Sequence, residues 1–285
     1  MPEATVAITV QEALRSATAV LERAGCDTFR LDAELLLASA LGVGRERLVL
    51  DAASDVDPAV LVSLGRLVAR RCAHEPVAYI LGRKEFRQIT LVLDDRVLIP
   101  RPETELLVEV GLSLPRGARV LDVGTGSGAV ALALKDERRD LEVSGSDVSA
   151  GAIAVASENA RRLGLDVRFA QADLLDAAPA ALDAVLANLP YVSEGSPLAP
   201  ELSYEPRSAL FAGADGLDLI RRLATMLADV PLVALEVGGG QAPEAVAQAP
   251  EVVAQAPEVV AQAPEVVAQA PEVVAQAPEV AALLR

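Results

Sequence analysis

Tryptophan is absent from these 285 residues, and phenylalanine and tyrosine bring the aromatic fraction to only 2%. A core made from this chain has few rings to stack and must be filled by Leu, Val and Ala, within an apolar fraction of 52%. Histidine and cysteine are nearly missing too, with one His74 and the pair Cys26 and Cys72. Three such ligands cannot complete a four-ligand Cys/His zinc site, and two cysteines do not make a disulfide scaffold. No metal site is therefore expected, these three residues read as structural, and a reducing cytoplasm fits. Also missing are a basic start followed by an apolar stretch, and any uncharged apolar run long enough to span a bilayer, which predicts neither secretion nor a membrane partner. Positive charge is scarce: 25 Lys plus Arg face 41 Asp plus Glu, a formal net charge of −16. Phosphate backbones repel such a chain, so no stable nucleic-acid binding is expected.

What is present divides into four stretches. Residues 1–75 read as a small helical bundle. Val10, Ala13, Leu14, Ala17, Val20 and Leu21 recur on one helix face before Gly25, a second helix runs from Asp32 to a stop at Gly42, and Asp57-Pro58 opens a third. Residues 76–100 change to short strand-like runs, YILGRKEF and ITLVLDDRVLI, read as a β-hairpin linker. In residues 101–241, apolar runs of strand length alternate with helical segments, which predicts an α/β domain with a parallel sheet built from right-handed crossovers. Its strands should end near Asp122, Asp147, Asp173, Asn188 and Glu236. Residues 242–285 are a low-complexity tail of APEAVAQ and APEVVAQ units. A proline in each unit costs about 3 kcal/mol wherever it falls inside a helix, so a long continuous helix is not expected. A solvated linker and a partner-binding array are the two readings of that tail.

The segment Leu121 to Gly128 (LDVGTGSG) is a strand running into a glycine-rich turn, with a helix opening at Ala129. Gly124, Gly126 and Gly128, with Thr125 and Ser127 between them, let the backbone bend sharply and admit a nucleotide-type ligand against it. The spacing departs from the dinucleotide pattern, and Asp122 before the turn would repel a pyrophosphate while being able to accept from a cationic amino-acid ligand. Asp147 ends the next strand, where a carboxylate accepts from both ribose hydroxyls; its bland alternative is a helix N-cap. Asp173-Leu174 after the third strand is placed to meet a base.

Asn188-Leu189-Pro190-Tyr191 follows the fourth strand. An amide nitrogen is a poor nucleophile because its lone pair is delocalised into the carbonyl. Accepting its two N–H bonds on the Asn188 side-chain oxygen and the Leu189 carbonyl would fix that nitrogen and aim it at an electrophilic methyl group. Pro190 restricts Leu189 to an extended conformation, and Tyr191 can cover the flat face of the acceptor.

PVAYILGRKEF, VLIPRPETELLVE, LDVGTGSGAVALAL and NLPY, in this order, resemble the protein-(glutamine-N5) methyltransferases that act on peptide chain release factors, the PrmC/HemK family. The resemblance implies a class I, Rossmann-like S-adenosylmethionine-dependent methyltransferase domain, with the helical bundle helping to recognise a class I release factor. It implies that Gly124, Thr125, Gly126, Ser127, Gly128, Asp147, Leu174 and Asn188 line the cofactor. Asn188, Leu189, Pro190 and Tyr191 would hold the glutamine of a Gly-Gly-Gln loop and carry the reaction, and Arg101 to Glu105 would lie beside the cofactor. Three departures stand out: Leu189 where relatives usually have proline, Leu174 where an aromatic is frequent, and the repeat where relatives continue with a helix and two strands. The C-terminal strands are therefore expected to be missing. Ribosomal-RNA adenine methyltransferases also carry NLPY at this strand end, and a non-catalytic scaffold using its tail is a third reading.

Overall fold

Thr9 sets the first helix. Its hydroxyl accepts from the Glu12 N–H while the Glu12 carboxylate accepts from the Thr9 N–H at 2.9 Å, which satisfies two donors that a helix start leaves unpaired. The computed structural model describes residues 7–227 and 230–238, which form two units.

The first unit comprises the described residues up to Gly82 together with Ala199–Tyr204. Its helices are α1 (Val10–Arg23), α2 (Phe29–Leu41), α3 (Arg45–Leu50), α4 (Pro58–Cys72) and α5 (Val77–Leu81). Leu21, Leu36, Leu37, Ala33, Leu64 and Val68 close its core. Gly42 ends α2 in the left-handed conformation, and Asp57 caps α4 by accepting from the Ala59 N–H at 2.7 Å. Inside lies a buried ionic chain. Arg71 donates through Nε to Asp32 at 2.7 Å and through a terminal nitrogen to Glu201 at 3.0 Å, while the Thr28 hydroxyl donates to the other Asp32 oxygen at 2.8 Å. Tyr204 donates its hydroxyl to the Ala73 carbonyl at 2.7 Å. These bonds explain why a segment distant in sequence belongs to the bundle.

Three expectations are corrected here. The bundle does not stop at residue 75: Tyr79, Ile80 and Leu81, expected in a strand, lie in α5, because Pro76 begins a helical turn and Ile80 packs into the helical core. The helix that Asp57-Pro58 opens, expected to be the third, is the fourth, because α3 has too few turns to show a period. The hairpin is confined to β1 (Arg83–Phe86) and β2 (Ile89–Val92), paired antiparallel, and it belongs to the second unit.

The second unit takes Arg83–Leu198 and the described residues from Glu205 onward. Its sheet has five parallel strands, β3 (Arg119–Val123), β4 (Glu142–Asp147), β5 (Arg168–Gln171), β6 (Ala184–Asn188) and β7 (Leu232–Glu236), in the order β5-β4-β3-β6-β7. Helices α6 (Glu105–Leu112), α7 (Ala129–Glu137), α8 (Ala150–Leu163) and α9 (Asp218–Ala224) precede β3, β4, β5 and β7 respectively, and β5 runs on to β6 through a loop. Four residues each of β3 and β6 are buried, as a parallel sheet covered on both faces requires. The chain lays β3 down first, builds β4 and β5 to one side, then crosses to β6 and β7 on the other. Such a reversal opens a crevice outside the carboxyl ends of β3 and β6, the usual ligand position in open sheets of this kind. The third strand stops at Gln171, short of the expected Asp173. The expectations for residues 242–285 and for strands beyond β7 lie outside the described residues.

Asn159 of α8 ties the hairpin down. It accepts from Val92 N at 2.8 Å, donates to Val92 O at 2.9 Å and donates to Ser127 O at 3.0 Å, imitating a neighbouring strand for Val92 while gripping the glycine-rich turn. Within the first unit, Arg71→Ala leaves Asp32 buried without its partner. It is expected to cost about 3–5 kcal/mol in a urea melt followed by helical circular dichroism. A loss below 1 kcal/mol would show that the ionic chain does not hold the bundle.

Candidate active site

The glycine-rich turn is shaped by packing on one side and left open on another. Gly124 (φ 72), Gly126 (φ 55) and Gly128 (φ 81) all take the left-handed conformation. A Cβ at Gly128 would lie 2.9 Å from the Leu132 side chain and 3.1 Å from the Phe169 ring, so only glycine fits. A Cβ at Gly126 would meet nothing closer than the Gly124 carbonyl at 4.0 Å, leaving that face free for a ligand. Thr125 and Ser127 are buried. The Thr125 hydroxyl donates to Asp122 at 2.6 Å, and the Gly124 and Thr125 N–H groups both donate to the Ser146 carbonyl at 2.9 Å.

Asp122 turns inward, contrary to the ligand-accepting role expected of it. The Oδ2 atom accepts from Thr125 and from the Ala131 N–H at 3.2 Å, and the side chain is buried. Burial pushes its carboxyl up to about 6, with the Asp147 charge adding to the rise and the two donors opposing it. Asp147 accepts on Oδ2 from the Gly126 N–H at 3.0 Å and on Oδ1 from the Ser149 N–H at 2.8 Å. It is not the cap of α8: the Ser149 hydroxyl, accepting from Ala152 N, fills that place. Burial raises the Asp147 carboxyl, against the two N–H groups that favour its charge.

Leu174 and Asp173 part company. Asp173 pairs at the surface with Arg222 of α9 at 2.7 Å. Leu174 is buried in an apolar cluster with Leu121, Val123, Val185 and Leu189, and its backbone is left-handed at φ 50. That conformation costs a branched side chain about 1–2 kcal/mol. The Ser146 hydroxyl, donating to the Leu174 carbonyl at 3.0 Å, helps to hold it. Val148, beside Asp147, is exposed and was not singled out by sequence.

At the neighbouring strand ends the Asn188-Leu189-Pro190-Tyr191 segment comes against the glycine turn. A Cβ on Gly124 would be 3.1 Å from the Leu189 side chain and 3.6 Å from the Asn188 carbonyl. Leu189 is buried in the same cluster as Leu174, whereas Asn188, Pro190 and Tyr191 are partly buried. Asn188 Nδ2 donates to the Thr104 hydroxyl oxygen at 3.0 Å. Thr104 comes from the Arg101 to Glu105 segment, a single 3₁₀ turn (Pro102–Thr104) anchored by an ion pair from Arg101 to the buried Glu205, whose other oxygen accepts from Ile99 N at 3.0 Å. Glu236 of β7 lies directly across from Asn188 in the sheet. It is buried, and its Oε2 atom has no hydrogen-bond partner among the described residues. Burial raises the Tyr191 phenol, and the nearby Glu236 charge adds to the rise. Thr104 belongs to the Arg101 to Glu105 segment that the resemblance places beside the cofactor, although nothing in the sequence singles it out there, and Glu236 sits at an ordinary strand end.

Residues 12–82 match the family model of the PrmC N-terminal domain, and residues 102–210 match that of the methyltransferase small domain. The chain is 40% identical over 225 residues to the release factor glutamine methyltransferase of Mycolicibacterium smegmatis, covering 77% of this chain and 79% of that protein. Identity to the protein of the same name from Nitratidesulfovibrio vulgaris is 43% over 226 residues, 76% of this chain and 77% of that one. For the Deinococcus radiodurans protein of that name it is 36% over 247 residues, 84% and 89% respectively.

The raised Asp122 carboxyl has a direct consequence for stability. Between about pH 4 and 6 the folded chain keeps a proton that the unfolded chain has given up, so stability falls as pH rises through that window. Asp122→Asn retains an acceptor for Thr125 and Ala131 and removes the charge. It is expected to flatten the window and to raise stability at pH 7.5 by on the order of 2 kcal/mol, measured by urea denaturation across pH. A variant less stable than wild type at every pH would show that the charge is not penalised.

Proposed function

We propose that this chain, which belongs to the release factor glutamine methyltransferase family, transfers a methyl group from S-adenosylmethionine to the side-chain amide nitrogen of the Gly-Gly-Gln glutamine in class I release factors. The observation that carries the proposal is the approach of the Asn188-Leu189 backbone and side chain to Gly124 at the switch point of the sheet. A cofactor on the glycine turn and an acceptor on Asn188 are thereby brought to one place.

The residues present fit the cofactor. The open face at Gly126 admits a ligand against the backbone, and Thr125 and Ser127, with buried side chains, contribute through their main chain. Asp147 uses one position on each oxygen for the turn and for Ser149, which leaves lone pairs for two ribose hydroxyls. Exposed Val148 offers an apolar face to the base. With Asp173 held by Arg222 and Leu174 turned into the core, these two residues contribute backbone and support rather than a stacking surface. The bound cofactor supplies a methyl group made electrophilic by a cationic sulfur.

The rest is done by the chain. Asn188 gives its NH2 to Thr104, so its oxygen is turned the other way and can accept one N–H of a substrate amide. The Leu189 carbonyl accepts the second N–H. Pro190 keeps that carbonyl extended, and the Leu189 side chain, buried in the apolar cluster, anchors the segment where relatives have a second ring. Tyr191 covers the acceptor. The helical unit would supply the surface that recognises the release factor, and a cytoplasmic location goes with that reading. Among the described residues no helix is long and apolar enough to cross a membrane.

Two variants separate the duties of these residues. Asn188→Ala is expected to lower turnover a hundredfold or more while leaving S-adenosylmethionine affinity within tenfold. Asp147→Ala is expected to weaken cofactor binding in calorimetry. Incubation with labelled S-adenosylmethionine and either a release factor or ribosomal RNA tests the substrate. Label on the release factor supports the proposal, and label on the RNA alone, or an Asn188→Ala variant with over half of wild-type turnover, overturns it.

A further inference from the structure

We propose that Glu236 is a positioning residue of the reacting centre, its carboxylate setting the direction of a hydrogen-bond relay from Asn188 to Thr104 so that the Asn188 oxygen always faces the substrate. The inference rests on the methyl-transfer reading above and goes beyond the four-residue segment in which that reading places the chemistry.

An asparagine amide has nearly the same shape after a half-turn about its last bond, yet the two orientations present opposite polarity. In the orientation observed, Nδ2 donates to the Thr104 hydroxyl at 3.0 Å. A hydroxyl both donates and accepts, so Thr104 alone does not choose. With the amide turned over, the same hydroxyl would donate to Oδ1, and Asn188 would then offer its NH2 to the NH2 of the substrate, donor against donor. Something that only accepts must break the tie. Glu236, paired with Asn188 across the sheet, is the carboxylate in position to do so. It is buried, with only 7% of its surface exposed, and Oε2 has no donor among the described residues. Thr104 is itself buried, and once its oxygen has accepted from Asn188 it has one O–H left to give. Giving it to an ionised Glu236 leaves a single consistent order: Asn188 donates to Thr104, and Thr104 donates to Glu236. A buried acceptor without a donor is costly, which makes this order the favoured one.

Protonation of Glu236 removes the bias, because a carboxylic acid can donate to Thr104 and reverse the relay. The titratable groups that face this carboxyl are Arg101 and Glu103 from the turn before α6 and Tyr191 after β6. Burial raises the Glu236 carboxyl and the Glu103 charge adds to the rise, against Thr104, Asn188 and Arg101. Turnover should therefore decline on acidification at a pH above that of an ordinary glutamate.

The test uses the full chain, labelled S-adenosylmethionine and a release factor. Glu236→Gln is expected to lower kcat ten- to a hundredfold with the cofactor dissociation constant within twofold, and to lose the acid limb of the wild-type pH profile. A second measurement needs no activity. In wild-type protein without substrate, the Asn188 side-chain NH2 resonances, assigned with Asn188→Ala, are expected to shift with pH on the Glu236 titration and to stop doing so in Glu236→Gln. Wild-type kcat and an unchanged pH profile in Glu236→Gln overturn the proposal, as do Asn188 resonances that ignore pH in the wild-type chain. Should Glu236→Gln fail to fold, the wild-type titration decides. Should the wild-type enzyme label no release factor, the functional reading fails while the resonances still judge the relay.

Discussion

A carboxylate removed from water organises the ligand edge of this sheet. Helix α7 begins at Ala129, and its N-cap residue, Gly128, must lack a side chain because Leu132 and Phe169 occupy the space a Cβ would need. A glycine has no side chain to accept from the helix it precedes, and the third residue of that helix, Ala131, still has an N–H to satisfy. Asp122, reaching from the strand before the turn, accepts it and takes the Thr125 hydroxyl as well. The cap is supplied from outside the helix, and the residues between are drawn into the bend that exposes Gly126. The energetic penalty of burying this charge is the cost of having a turn at once tightly packed and open to a ligand.

That arrangement explains which parts of the site could be read from sequence. Asp122, Asp147 and Asn188 each end an apolar run with a polar group, so their place at the carboxyl edge follows from the alternation of strand and helix. Glycines in the turn announce backbone geometry. What a linear pattern does not contain is the direction of a side chain. Asp122 reads as ligand-facing and points into the protein, Leu174 reads as base-facing and joins the core, and Asp173 finds Arg222 far along the chain. Asn159, Thr104 and Glu236 act through partners brought close only by folding, at separations of 67 residues for Asn159 and 84 for Thr104 from the groups they bond. No local signal marks them.

The same reasoning bears on Leu189. In the sequence it looks like a loss of stiffness, a flexible residue where relatives have a ring. In the structure its side chain is fixed among Leu121, Val123, Leu174 and Val185, with Gly124 giving way beneath it. Rigidity removed from the backbone is recovered by burial, worth about 1.5–3 kcal/mol for a leucine. The carbonyl that matters to the chemistry is held from both sides, by the proline that follows and the apolar anchor on its own residue.

The ionic chain of the helical unit has a consequence for how this protein comes into being. Arg71 bonds Asp32 early in the sequence and Glu201 much later, so the bundle is not a continuous stretch of polypeptide. A ribosome that has released the first 82 residues has made every α-helix of that unit but not the last acceptor for its buried arginine. Between the two events lies the synthesis of β3 through β6, so the nascent bundle waits, with one guanidinium arm unsatisfied, until most of the sheet has been made. An isolated fragment ending at Gly82 inherits the same defect permanently. The boundary that a gene-level dissection of this protein would choose is thus one that its own electrostatics does not respect.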